Sequence, residues 1–212
     1  MYSAKANSTD IDVAIRKWSS TLPSRILTHE NECCRIVKDW FISVDHSLFM
    51  INGSPFSGPT WIGEKYMWGP SKRPIYWCDL IKLRSLDCGA LAALAQELFK
   101  ARGVSTFPVQ LIQQYSEQSI RHWRKKWGDL RIKDWIVGTL AYHEACAIVT
   151  KGNNIKIWDP TDNCWILPQQ PKGYEAVVAI RIISQTILDE LKWNSYTIKP
   201  NIWIKISEII NK

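Results

Sequence analysis

Apolar and polar positions alternate along this chain with two different periods, and the order of those periods predicts the architecture. Residues 9–45 carry the helical period, first in "DVAIRKW" and then in "ENECCRIVKDWF", where Cys34, Val37, Trp40 and Phe41 are read as one stripe. A stretch dense in Gly, Pro and Ser follows over 51–74, with Trp61 and Trp68 inside it. Irregular segments of that length inside a domain often serve function, and this one lies just upstream of the next helix, where it could wall a cleft. That helix is "CGALAALAQELFK", with Leu91, Ala92, Ala95, Leu98 and Phe99 on one face and Gly103 as its closing residue.

Strand patterning then takes over. "VSTFPVQLIQ" reads as a strand, and Pro108 predicts that it lies at an edge or is irregular, because proline has no N–H for a ladder. The basic stretch "RHWRKKWGDLRIK" reads as a helix with Trp123 and Trp127 turned inward and Arg124, Lys125 and Lys126 solvated. "LAYHEACAIV" and "IKIWD" read as two strands joined by the turn chemistry of 151–154. Beyond them, 174–182 reads as a strand, "QTILDELKW" as a short helix, and 201–206 as a last strand. Helices first and antiparallel strands after predict an α+β fold, with a buried helix packed on the sheet. One domain over 1–212 accounts for the chain: a helical part (1–50), a cleft loop (51–77), a core (78–182) and C-terminal elements (183–212).

Composition narrows the function. Of 212 residues 46% are hydrophobic, enough for a substantial core, and the 12 tryptophans suit core filling or a cleft lining. The start "MYSAKANSTDID" has no apolar signal region, and the apolar run at 176–183 is too short for a bilayer and contains Arg181. The 6 cysteines, in a chain this long, do not read as a disulfide framework, so the expected setting is a reduced cytoplasm. The net charge of +7 favours an acidic partner or substrate. Nucleic acid is the weaker reading of the basic stretch, because no nucleic-acid-binding motif accompanies the charge.

The chemistry turns on Cys88. At the first turn of a helix, unpaired N–H groups favour a thiolate. Strand alternation puts Ala141, His143, Ala145 and Ala147 on one face, and Ile155, Ile157 and Asp159 on one face of the next strand. Paired across the hairpin, His143 and Asp159 become neighbours, and the flanking alanines leave room for the Cys88 helix to approach. A thiol beside a base, with the base oriented by a carboxylate, is an activated nucleophile. Zinc is the rival use of Cys88, His143, Cys146 and Cys164, but His143 and Cys146 point to opposite faces of a strand and no Cys-x-x-Cys pair exists. Neither a metal nor a cofactor is expected.

"LDCGALAALAQELFKARGV", "AYHEACAIV" and "IKIWDPTD" together resemble the motifs of the transglutaminase-like superfamily, a group of papain-like thiol enzymes. The resemblance covers about 86–162. It implies a papain-like core, with Cys88 as nucleophile, His143 as base and Asp159 as orienting carboxylate. It also implies an oxyanion hole, for which the Cys88 N–H and a tryptophan indole are the candidates. Trp61, Trp68 and Trp77 are all available, Trp77 being preferred for its nearness in sequence to Cys88, while Trp61 and Trp68 are the cleft candidates of the 51–74 loop. Ala145 departs from the aromatic often found two residues after the histidine. The expected activity is acyl transfer through a thioester, from a peptide, amide or carrier-protein donor of acidic character to an amine. Hydrolysis by water is the alternative, and a non-catalytic binding relative is a third reading.

Overall fold

The chain enters its first helix, α1 (Ser8–Trp18), at Asn7, whose side chain accepts a hydrogen bond from the Asp10 N–H at 2.8 Å. The computed structural model describes residues 7–27, 32–45, 67–69, 74–83, 85–162, 164–167, 176–184 and 190–210. After strand β1 (Ile26–Leu27) comes helix α2 (Glu32–Asp45). Its buried stripe is Cys34, Val37 and Phe41, while Trp40 is 44% exposed and departs from the expected stripe. Six residues after Cys34, Trp40 has rotated off the line that positions 34, 37 and 41 follow. The short strands β2 (Met67–Trp68), β3 (Ile75–Tyr76) and β4 (Ser85–Leu86) lie around a single 3-10 turn at Trp77–Asp79. There Cys78 is joined to Cys34 by a disulfide, so these two are not the reduced packing cysteines that composition suggested.

Helix α3 (Cys88–Ala101) begins behind Asp87, whose carboxylate accepts from the Ala90 N–H at 2.9 Å. It is buried nearly all round rather than on one face, since Leu91, Leu94, Ala95 and Leu98 are covered on one side by the sheet and on the other by α2 and Trp77. Gly103, at φ 72°, ends it: its N–H and that of Val104 bond back to the Lys100 and Phe99 carbonyls at 2.9 and 3.0 Å.

The fold is α+β around a nine-stranded sheet. Its members are β5 (Thr106–Gln114), β6 (Ile136–Val137), β7 (Leu140–Val149), β8 (Asn154–Asp159), β9 (Cys164–Ile166), β10 (Ala176–Ile182), β11 (Leu191–Trp193), β12 (Tyr196–Ile198) and β13 (Ile204–Lys205). The main path runs β12-β11-β8-β7-β5-β10-β13, with β6 added beside β7 and β9 beside β8. All these pairs are antiparallel except β11 with β8, which is parallel. Two helices, α4 (Glu117–Trp127) and α5 (Asp129–Ile132), separate β5 from β6, and α6 (Ile206–Ile210) closes the described chain. The expected hairpin forms: β7 and β8 are joined by a turn in which Gly152 and Asn153 take positive φ.

Three expectations change. Strand β5 is central, between β7 and β10, despite Pro108. In an extended strand the N and C=O of one residue point the same way, and the Pro108 carbonyl accepts from Ile183, just past the end of β10. The missing N–H therefore faces the end of a neighbour, so the proline forfeits one bond at the margin of the ladder and none within it. The segment expected to be a short helix contributes β11 at Leu191–Trp193 instead, while 185–189 lie outside the described residues. The last expected strand is only Ile204–Lys205 before α6 begins. Among the described residues no helix is long and apolar enough to cross a membrane.

Gly103→Ala isolates a backbone effect, because an added Cβ there meets nothing within 4 Å. Only the left-handed φ is penalised, and chemical denaturation should show a loss of about 1–2 kcal/mol.

Candidate active site

Strand β7 has β5 along its whole length on one side. On the other side it pairs with β6 at Leu140 and Ala141, and with β8 only from Cys146 to Val149. Between these ladders the sheet is open, apart from the Tyr142 N–H donating to the Trp135 carbonyl at 2.9 Å. His143 sits in that opening, and Asp159 ends β8 just beyond the last pair, Cys146 with Trp158.

The register Ala147↔Ile157 and Val149↔Ile155 puts His143 and Asp159 on one face, as alternation requires. The His143 Nε2 donates to Asp159 Oδ2 at 2.8 Å, and Asp159 Oδ1 accepts from the Thr161 N–H at 2.9 Å. Asp159 is fully buried and His143 is 5% exposed. Cys88 lies within interaction range of the imidazole, and its charge acts on the ring. Burial by itself would push the His143 imidazole down, but the Asp159 carboxylate, the charge of Cys88 and the hydrogen bond to Asp159 outweigh it. The imidazole is held well above its usual value. So the structure brings Cys88, His143 and Asp159 together.

It does so by another route than the alanines. Ala145 and Ala147 pack with Val109, Leu111 and Ile180 in one core, whereas α3 packs with Cys146, Ile148 and Trp158 on the opposite face. The long side chains of α3 take the face that offers Trp158 and Ile148. Cys88, at the first residue of the helix, meets the imidazole where the ladder is open.

The chain matches no protein-family model, no curated protein and no solved structure.

The other candidates are placed differently. Trp77 is fully buried in the core that α3 shares, its ring 6.0 Å from Phe41 and 5.8 Å from the Lys38 Nζ on α2. Trp61 and the Trp68 side chain lie outside the described residues. The backbone of Trp68 pairs with Leu86, two residues before Cys88, so this end of the loop runs beside the chain that leads into Cys88. Cys146 is fully buried on the α3 face, where burial pushes its thiol up and leaves it inert.

Two features escaped the sequence. Glu144 is a buried carboxylate that accepts from the Ser24 N–H, the Ser24 hydroxyl and the Tyr142 hydroxyl at 2.9–3.0 Å. Burial, Glu144 and the charge of Cys88 raise the Tyr142 phenol, which therefore stays protonated; Gln110 donates to it at 2.7 Å. Gln110 and Arg181 also donate to the Thr21 carbonyl, so this network clamps 19–24 onto the sheet behind His143. Gln113, fully buried on the His143 face, has an Nε2 without a hydrogen-bond partner among the described residues. Nothing in a strand pattern marks such a glutamine as special.

The raised imidazole has a pH signature. Because its folded value lies above the unfolded one, its stabilisation is complete below about pH 6.5 and is lost as pH rises through the folded value. The stability gap between wild type and His143→Gln should narrow across that window in guanidinium titrations. In NMR the His143 ring should titrate above the usual range, and Asp159→Asn should bring it down.

Proposed function

We propose that this protein is a thiol acyl-transfer enzyme with a transglutaminase-like, papain-like core. The observation that carries the reading is one imidazole bonded at 2.8 Å to a buried carboxylate, with a cysteine at a helix start close enough for its charge to act on the ring. An α+β fold with that helix against a sheet, and with histidine and aspartate on neighbouring strands, supports it further. Cys88 acts as the thiolate of an ion pair with protonated His143. It adds to a carbonyl carbon, and the electron pair moves to oxygen. The Cys88 backbone N–H, at the first turn of α3 where helices leave donors unpaired, faces that oxyanion. Collapse expels the amine or thiol leaving group, which takes the proton from His143, and a thioester remains. The acceptor then loses its proton to His143 as it attacks, and the thiolate returns. Asp159 keeps the ring oriented and supports its charge throughout.

Transfer to an amine is favoured over hydrolysis because the base and the carboxylate are buried, which keeps water from the thioester. Water as acceptor gives the same acyl-enzyme and differs only in the last step.

Intact-mass measurement after incubation with thioester and amide donors should show one acyl adduct on Cys88, discharged faster by added amine than by buffer. No adduct with any donor class would overturn the proposal. Iodoacetamide should label Cys88 well before Cys146 and Cys164. His143→Ala should abolish turnover with the fold retained, and Asp159→Asn should lower the rate by about two to four orders of magnitude. Replacing Trp61 and Trp68 together by alanine should raise hydrolysis relative to aminolysis, while the acyl-enzyme still forms.

A further inference from the structure

The site has a neighbour of different chemistry. Helices α4 and α5 fold into a lobe whose core is Tyr115, Ile120, Ile132, Ile136 and Ala141, and β6 ties the lobe to β7 at Leu140 and Ala141. Ala141 and His143 are two apart on a strand and so share one face. The lobe is thus seated directly beside the imidazole.

Its outer surface is basic. Arg121, Arg124 and Lys125 stand at i, i+3 and i+4 on α4 and are all exposed. Lys126, Arg131 and Lys133 extend the patch, against only Glu117, Asp129 and Asp134. The pairs Arg121–Glu117 at 3.9 Å and Arg124–Asp129 at 3.4 Å are open to solvent and neutralise little of this field. Among the described residues, Lys125 and Lys133 have no carboxylate partner. The patch is an excess of positive charge on a rigid support, and it attracts anions.

The tryptophans decide which kind. Trp123, Trp127 and Trp135 pack against one another at 6.0–6.4 Å between ring centres, and Trp123 meets Tyr115 edge-on at 4.5 Å. Rings engaged in this way are not platforms for stacking bases, so the surface offers charge without the second element of single-strand nucleic-acid binding. Flexible carboxylates need only the charge.

We propose that the α4–α5 surface docks an acidic polypeptide segment and so presents an adjoining carbonyl group to Cys88. The docking stands on the lobe's charge and position; its catalytic consequence rests on the acyl-transfer reading. The test separates the two by measuring binding on the Cys88→Ala protein, which cannot react. A fluorescent peptide rich in Glu should bind it, and more weakly as salt rises from about 50 to about 200 mM, while a Gly/Ser peptide of equal length should not. Arg121→Glu with Lys125→Glu should weaken binding at least about tenfold. Arg121→Gln with Lys125→Gln should fall between, with circular dichroism unchanged in both. Equal binding by the reversed and the original surface would overturn the proposal, as would no binding of the acidic peptide. Tighter binding of a single-stranded RNA of matched charge, lost in the same variants, would overturn it in favour of nucleic acid. Peptide binding without any acylation of wild-type Cys88 would leave the docking supported and sink the catalytic reading alone.

Discussion

A carboxylate with no exposed surface must be compensated, and Asp159 imposes that requirement on everything around it. One oxygen takes the Thr161 N–H, which fixes the turn leaving β8. The other takes the His143 imidazole, which fixes the register of β7 against β8. A one-residue slip of either strand would send one partner to the other face and leave a buried charge alone, at a cost of several kcal/mol. The hairpin register is therefore an electrostatic matter as much as a hydrophobic one.

The opening in the sheet follows from the same pairing. Strand β6 occupies the first two positions of β7 on the β8 side and β8 occupies the last four, so His143 falls between them. A continuous ladder there would seal the ring inside the sheet. Behind it, Tyr142, Glu144, Gln110 and Arg181 form hydrogen bonds that hold 19–24 in place, so the sheet is stiffened on the side away from the opening. Rigidity behind and an open ladder in front hold the imidazole in one place.

Much of this was legible in the residues. Cys88, His143 and Asp159 could be grouped because strand parity and helix-start chemistry are local rules, and Gly103, Gly152 and Asn153 mark turns that need positive φ. What depended on partners far along the chain was not legible. Pro108 argued for an edge because its tolerance depends on where β10 stops, which no local pattern encodes. The face on which α3 packs depended on Trp158 and Ile148, and alanines near a histidine could not reveal it. Leu191–Trp193 became a strand through parallel pairing with β8, a contact that is silent in its own periodicity.

The link between Cys34 and Cys78 closes a ring of chain whose last residue lies ten positions before Cys88. Any protease cut between those two cysteines therefore leaves both pieces in one covalent molecule. On a gel without reductant such a nicked protein runs as a single species, and with reductant it falls into two. The stretch that approaches Cys88 can thus be severed without parting α1 and α2 from α3.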